Sequence, residues 1–375
     1  MNRRDFLTAA TAIVAAPAIA RAQMLRSNKA NLRLSTLSHG LVQPWGMAFL
    51  PDGRILITER PGRLRVFANG RLDPTPLAGV PRVAATGQGG LLDVCLHPHF
   101  AQNRVLYLSY SAEGPMDKGG GNATTVARAE LGDGGLVGLR VIYEALPRAP
   151  GGLHFGSRIA FDRAGLMYVT AGERYNKPRA QDLADLGGKI VRLRDDGSVP
   201  SDNPFVGRAG VRPEIFSYGH RNPQGLAMHP ATGRMWEVEH GPRGGDELNV
   251  LKPGANYGWP LATHGIDYNG AIISPHRSLP GMEDPLRVWT PSISPCGLAF
   301  YTADAFPAWK GSLFTGGLSA YALFRLETDG EKIVNEERLI EGRLPYIRDV
   351  RQGLDGFLYL VTHSDDGGLF RVEPA

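Results

Sequence analysis

Two stretches of this chain carry side chains that can do chemistry, and they flank one predicted strand pair. Gly219-His220-Arg221-Asn222-Pro223-Gln224 places a cation and two amides just ahead of an apolar strand. Glu239-His240-Gly241-Pro242-Arg243-Gly244-Gly245-Asp246-Glu247 follows that strand's partner. Its bare backbone can offer the Gly241 and Pro242 carbonyls, with carboxylates close by, to a hard cation such as Ca²⁺, although composition alone favours a plain turn. Farther back, His154 brings an imidazole that is neutral near pH 7, a natural acceptor for an alcohol's proton; a hydrogen-bonded structural histidine is the equal alternative. Arg221 presents a fixed fork of donors to a carboxylate or a developing oxyanion. Gln88 and Asn222 can orient the polar groups of a ligand.

These residues lie far apart in sequence, so the elements that position them decide whether they meet. One phrase, an apolar strand, a Pro or Asp turn, Gly and a second apolar strand, recurs six times. It begins at Trp45, Leu91, Ser157, Gln224, Cys296 and Asp349, and most copies are trailed by a further strand such as Arg63-LRVF or Lys189-IVRL. Repetition at this period without a sustained helical pattern predicts an all-β fold, a six-bladed β-propeller of four-stranded antiparallel blades. A two-sheet sandwich would not explain the recurrence. The segment after Asn31 is expected to close the ring by adding a strand to the last blade. Residues 112–125 and 262–287 read as loops, and 23–375 as a single domain.

In a propeller the strand opening each blade lines the central channel, so the residues just before it ring one mouth. That slot holds Gln43-Pro44-Trp45, Gln88, His154, Arg221-Asn222, Ser292-Ile293-Ser294 and Tyr346-Ile347-Arg348. It is mostly polar and different each time, while the core phrase stays apolar. Convergence on one site follows, with His154 the only histidine of the ring.

Composition narrows the function classes. The chain has 375 residues, 42% of them hydrophobic, with 48 Gly and 28 Pro, which suits a full core and many turns. Net charge is only +4 and the basic residues form no stripe, so no nucleic-acid partner is expected. Asn2-Arg3-Arg4-Asp5-Phe6-Leu7, an Ala-rich run and Ala20-Arg21-Ala22 read as a cleaved twin-arginine export signal over residues 1–22, which predicts a periplasmic protein. No apolar run reaches membrane-spanning length. Cys95 and Cys296, the two cysteines, sit in apolar strands and are expected as separate thiols. There is no GxGxxG after a strand, no P-loop, no GxSxG and no zinc spacing, so nucleotide and serine-hydrolase chemistry lack support.

The segments GQGGLLDVCLHPHF, HFGSRIAFD, YGHRNPQGLA, EHGPRGGDELN, GANYGWP and SPCGLAFY, in that order between about Leu41 and Val372, resemble the soluble quinoprotein sugar dehydrogenases of the glucose/sorbosone dehydrogenase family. The resemblance implies a six-bladed propeller that binds pyrroloquinoline quinone (PQQ) and calcium over the channel mouth and takes a small sugar as substrate, with a quinone or redox protein as electron acceptor. It implies that His154 removes the C1 hydroxyl proton of an aldose as hydride passes to PQQ. Arg221 would stabilise charge on the quinone oxygen and, with Gln88, Asn222, Tyr268 and Arg348, contact the cofactor. It further implies that the Gly241 and Pro242 carbonyls hold the calcium that polarises PQQ, and that Glu247 with the Tyr257 carbonyl forms a second calcium site. Two positions depart from the family: Ser319 stands where a lysine is usual, and Tyr346 where an arginine is usual. Both meet PQQ in the family, and each charge-assisted hydrogen bond to its three carboxylates is worth roughly 1.5–3 kcal/mol. Arg343 is a sequence-level candidate to compensate. A non-redox ligand-binding propeller with a decayed cofactor site, and a calcium-dependent lactonase, are the alternatives to an aldose dehydrogenase.

Overall fold

The computed structural model describes residues 23–114 and 120–375; the export signal read at residues 1–22 lies outside them. Six antiparallel sheets form a ring in which each sheet's opening strand packs beside the opening strands of its two neighbours, a six-bladed β-propeller. The opening strands are Pro44–Phe49, Leu91–Leu96, Ile159–Phe161, Pro223–Met228, Pro295–Phe300 and Ile347–Gln352, in blades 1 to 6. Blades 1 to 5 have four strands each. Blade 6 takes Asn31–Leu41 against Gly367–Pro374, which closes the ring with strands from opposite ends of the chain, and Gln23–Arg26 adds a fifth strand outside it.

Apolar seams between blades bind the ring together. Leu56 and Leu64 meet Val94, Leu106 and Leu108 between blades 1 and 2. Trp236 and Val238 meet Leu298, Phe300 and Phe324 between blades 4 and 5. Much of 112–125 is strand rather than the expected loop: Val105–Glu113 and Asn122–Leu131 pair out to Glu113 opposite Asn122. The polar Thr124 and Thr125 that read as loop are buried, and the Thr124 hydroxyl donates to the Phe155 carbonyl. Cys95 and Cys296 are unpaired.

Charge, not only apolar packing, fills the channel beneath the mouth. Arg158 reaches Asp93 and Asp349, each at 3.2 Å, and Arg351 reaches the same two carboxylates at 3.1 and 3.0 Å. Arg158 also donates to the Gln224 and Arg348 carbonyls and lies 4.0 Å over the Trp45 ring. The Met47 amide of blade 1 donates to Asp349, and the Ile159 amide of blade 3 to Asp93. Glycine is required where blades approach this cluster: a Cβ on Gly46 would lie 2.7 Å from Asp93 Oδ1, and one on Gly297 2.6 Å from Asp349 Oδ1.

Removing one member of a buried ion network costs more than the network itself contributes, because an uncompensated charge stays behind. Arg158→Met is expected to lower stability by about 3–5 kcal/mol in urea denaturation. A loss under about 1 kcal/mol would show that the belt is solvated and does not hold the blades.

Candidate functional site

The antiparallel register brings two rings of residues to one mouth. Within a blade the second strand ends where the first begins, as in Pro44 opposite Glu59, Pro223 opposite Glu239 and Ile347 opposite Thr362. The residues before the first strand and those just past the second therefore share a rim. A cavity of about 270 Å³ opens there. The first ring contributes Trp45, Gln88, Asn222, Ser294 and Arg348, with Phe155 and Gly156 from the third blade. The second contributes Arg60, His240, Leu318 and His363.

Gln88 and Asn222 organise the wall. Gln88 Oε1 accepts the His154 amide at 2.9 Å, at a residue whose φ of 53° is strained for a non-glycine. Asn222 Oδ1 accepts the Gly156 amide and the Gln224 side chain, each at 3.1 Å. Gln224 Oε1 in turn accepts from Arg348 Nη1 at 2.9 Å. Four blades (2, 3, 4 and 6) are tied by these side-chain amides.

His154 is 4% exposed and sits behind this wall, edge-on to Tyr175 at 5.2 Å. Its Nδ1 lies 3.1 Å from Glu173 Oε2, close but outside hydrogen-bond angles. Burial lowers the His154 pKa, and the Glu173 carboxylate offsets only part of that. The imidazole is therefore neutral at pH 7.

Arg221 borders a neighbouring cleft of about 240 Å³ with Glu173, Tyr175, Pro242, Trp259 and Tyr268. Its guanidinium donates to the His240 and Gly241 carbonyls at 2.9 and 2.8 Å and lies over Trp259 at 5.3 Å. No carboxylate pairs with it among the described residues. Tyr268, 59% exposed, stands between this cleft, the central pocket and a third, open cleft. Ser319 faces that third cleft, where its hydroxyl donates to the Ser292 carbonyl. Tyr346 is 44% exposed and packs edge-on to Tyr321 outside the residues lining the pocket. Arg343 is exposed and lines none of these cavities. His154 is not the only histidine of the rim, since His240 and His363 line the pocket directly.

A separate, acidic nest lies beneath the 241–247 loop. A small cavity is lined by Glu239, Gly241, Glu247 and Tyr257, and His220, Glu237 and Glu239 bring one donor atom each within 4.8 Å of one another. Burial, then repulsion from Glu239, pushes Glu237 up to about 7 and holds Glu247 well above the usual carboxylate range. Burial alone would discharge His220, but Glu237 and Glu239 outweigh it and push the imidazole up to about 9. Glu237 Oε2 and Asn249 Oδ1 are buried without a partner, and no donor reaches the Tyr257 carbonyl among the described residues. The Pro242 carbonyl is likewise free of donors, whereas Arg221 occupies one side of the Gly241 carbonyl.

Arg60, Glu173, His240 and His363 were missed in sequence, yet their signal is regular. Each lies at or just past the end of a second strand, in ITER, VTAGE, VEH and VTH. The same repeat that flagged the first ring would have found them, read one strand later.

The family model for glucose/sorbosone dehydrogenases matches residues 41–371. The aldose sugar dehydrogenase YliI of Escherichia coli (strain K12) is 44% identical over 363 residues, covering 96% of this chain and 97% of that protein. A crystal structure of a glucose dehydrogenase superposes with a TM-score of 0.89 at 50% identity, over 91% of this chain and 99% of the other. The PQQ-bound aldose sugar dehydrogenase of Streptomyces coelicolor superposes with a TM-score of 0.74 at 30% identity, over 95% and 99%.

Histidine NMR titration tests the electrostatics directly. The His154 midpoint should fall below 6.5, and Glu173→Gln should move it lower still by removing the neighbour that raises it. A midpoint above 6.5 would contradict the neutral imidazole.

Proposed function

This chain belongs to the glucose/sorbosone dehydrogenase family and is a sugar dehydrogenase, and we propose that it oxidises aldoses at C1 to lactones with bound PQQ and Ca²⁺. The observation carrying the proposal is the rim itself: a buried neutral imidazole beside a polar pocket that holds arginines but no carboxylate. The pocket suits an anionic ligand. Arg348 Nε and His363 Nδ1 are buried there without partners among the described residues. Gln88, Asn222 and Arg348 would hold PQQ, with Arg221 and Tyr268 at the boundary with the cleft. When bound, PQQ supplies a two-electron acceptor for the hydride that leaves C1.

The protein's own groups do the proton work. His154 takes the C1 hydroxyl proton at Nε2, because Glu173 stands at Nδ1 and stabilises the imidazolium that forms. Loss of that proton and of hydride converts the aldose to its lactone, so electrons and atoms balance. Arg221, fixed by two carbonyls and by Trp259, keeps positive charge at the wall where negative charge develops. Tyr175 and Tyr268 offer aromatic faces to a sugar in the cleft.

Calcium has two candidate places. Pro242 lines the clefts beside the pocket and the Gly241 carbonyl accepts from Arg221; a Lewis acid held by these two carbonyls would polarise the cofactor. The acidic nest of Glu247, the Tyr257 carbonyl and Glu239 suits a structural Ca²⁺, whose charge would ionise carboxylates that burial now disfavours. Ser319 and Tyr346, the remaining positions carried over for PQQ, lie in the third cleft and outside the pocket, respectively.

We further propose periplasmic residence by the twin-arginine route, on the Arg3-Arg4 pattern, and a quinone or redox protein as the final electron acceptor. No helix among the described residues is long and apolar enough to cross a membrane.

His154→Ala separates binding from chemistry. It should retain PQQ with near-normal affinity while turnover of aldoses falls by about 10²–10⁴, the usual worth of a positioned base. Turnover within a few-fold of the parent would remove His154 from the role, and lost PQQ binding would make it a cofactor contact instead.

A further inference from the structure

The pocket's charge is lopsided, and Arg60 is the residue that no reading above uses. It follows Ile55–Glu59, the second strand of blade 1, and lines the pocket together with Arg348 and His363. The strap Gly87-Gln88-Gly89-Gly90 fixes it. Arg60 Nε donates to the Gly89 carbonyl at 3.0 Å, and Nη2 donates to the Gly87 carbonyl. Gly90, with φ of 138°, lets the strap pass so close that a Cβ would lie 2.2 Å from the Arg60 carbonyl. The Leu91 amide donates to that carbonyl at 3.0 Å. One strap therefore positions Arg60 through its backbone carbonyls and His154 through the Gln88 side chain.

No ion pair neutralises this corner among the described residues. Among the described residues neither Arg60 nor Arg348 has a carboxylate within 4.0 Å, and the pocket lining contains none. Arg60 Nη1 lies 3.4 Å from His363 Nε2, which leaves that imidazole as an acceptor rather than a third cation. Burial, then Arg348 and Arg60, holds His363 down at about 3. Two guanidiniums without counter-ions at one end of a cavity make a receptor for a carboxylate pair.

We propose that Arg60 is a cofactor-binding residue that pairs with a PQQ carboxylate beside Arg348, replacing the positive charge absent at Ser319 and Tyr346. The inference rests on the PQQ reading above and adds a residue and a geometry to it. It explains why those two departures need not abolish binding: Ser319 and Tyr346 do not line this pocket, whereas a cation from another blade does. It also excludes Arg343, which is exposed and away from the cavity.

The test is equilibrium binding of PQQ to the full chain with Ca²⁺ present, read by quenching of protein fluorescence, with no turnover involved. Arg60→Gln should raise Kd by about ten- to a hundredfold, the worth of one charge-assisted hydrogen bond, while Arg343→Gln leaves it unchanged. With the trimethyl ester of PQQ, which has lost its carboxylate charges, the gap between parent and Arg60→Gln should close. Equal PQQ affinity of parent and Arg60→Gln overturns the inference and leaves the PQQ reading standing. A gap that persists with the ester also overturns it, because Arg60 would then act on pocket shape. Absence of PQQ binding by the parent overturns both. Should Arg60→Gln fail to fold by thermal melting, the parent alone decides: the ester must bind more weakly than PQQ, and unchanged affinity refutes the pairing.

Discussion

Everything at the rim depends on a balanced set of buried charges one layer below it. Arg158 and Arg351 share the carboxylates of Asp93 and Asp349, so two positive and two negative groups meet where the blades converge. Burying such charges is tolerable only when each is paired and hydrogen-bonded, which forces the opening strands into one arrangement. The consequences reach the site directly. Arg158 holds the backbone carbonyls of Gln224 and Arg348, both on the wall of the pocket, and it stacks on Trp45, whose ring also lies 5.8 Å from the Arg348 guanidinium. The belt aims the pocket's side chains from beneath, and apolar seams alone would leave their direction loosely specified.

Above the belt the electrostatic pattern reverses. The pocket keeps cations without counter-ions, while the nest under the 241–247 loop concentrates carboxylates around one imidazolium. Each imbalance is costly in isolation, and each is what a complementary ligand would relieve. An anionic cofactor above and a divalent cation below are the natural complements. His154 belongs to neither group: burial keeps it neutral, and Glu173 keeps it ready to accept charge.

Much of this was legible in the chain because the fold is repetitive. Six copies of one strand-turn-strand phrase gave the blade count, and the polar slot before each copy gave Gln88, Asn222 and Arg348 at the pocket. The closing strand after Asn31 was legible for the same reason, since an opened ring would leave Gly367–Pro374 as an exposed edge. What was not legible came from pairing rather than pattern. Arg60, His240 and His363 follow second strands at a regular place in the repeat, but only the antiparallel register shows that this place shares a rim with residues that begin first strands. Tyr346 failed as a pocket residue because adjacency in sequence to Arg348 does not fix side-chain direction: Ile347 is buried in the core, Arg348 faces the pocket and Tyr346 turns to Tyr321. Residues 112–113 and 122–125 belong to strands because tertiary pairing along a long hairpin carries them past the Gly-rich segment that lies between them in sequence.

The central claim is that this rim is a PQQ site that oxidises sugars. Its most direct test is titration of the purified protein with PQQ and Ca²⁺ together, followed by dye reduction with a panel of aldoses and identification of the product. Saturable, calcium-dependent binding with aldose-dependent dye reduction and a lactone product is the result expected. Absence of PQQ binding at micromolar concentration, or binding without reduction by any aldose, would contradict it.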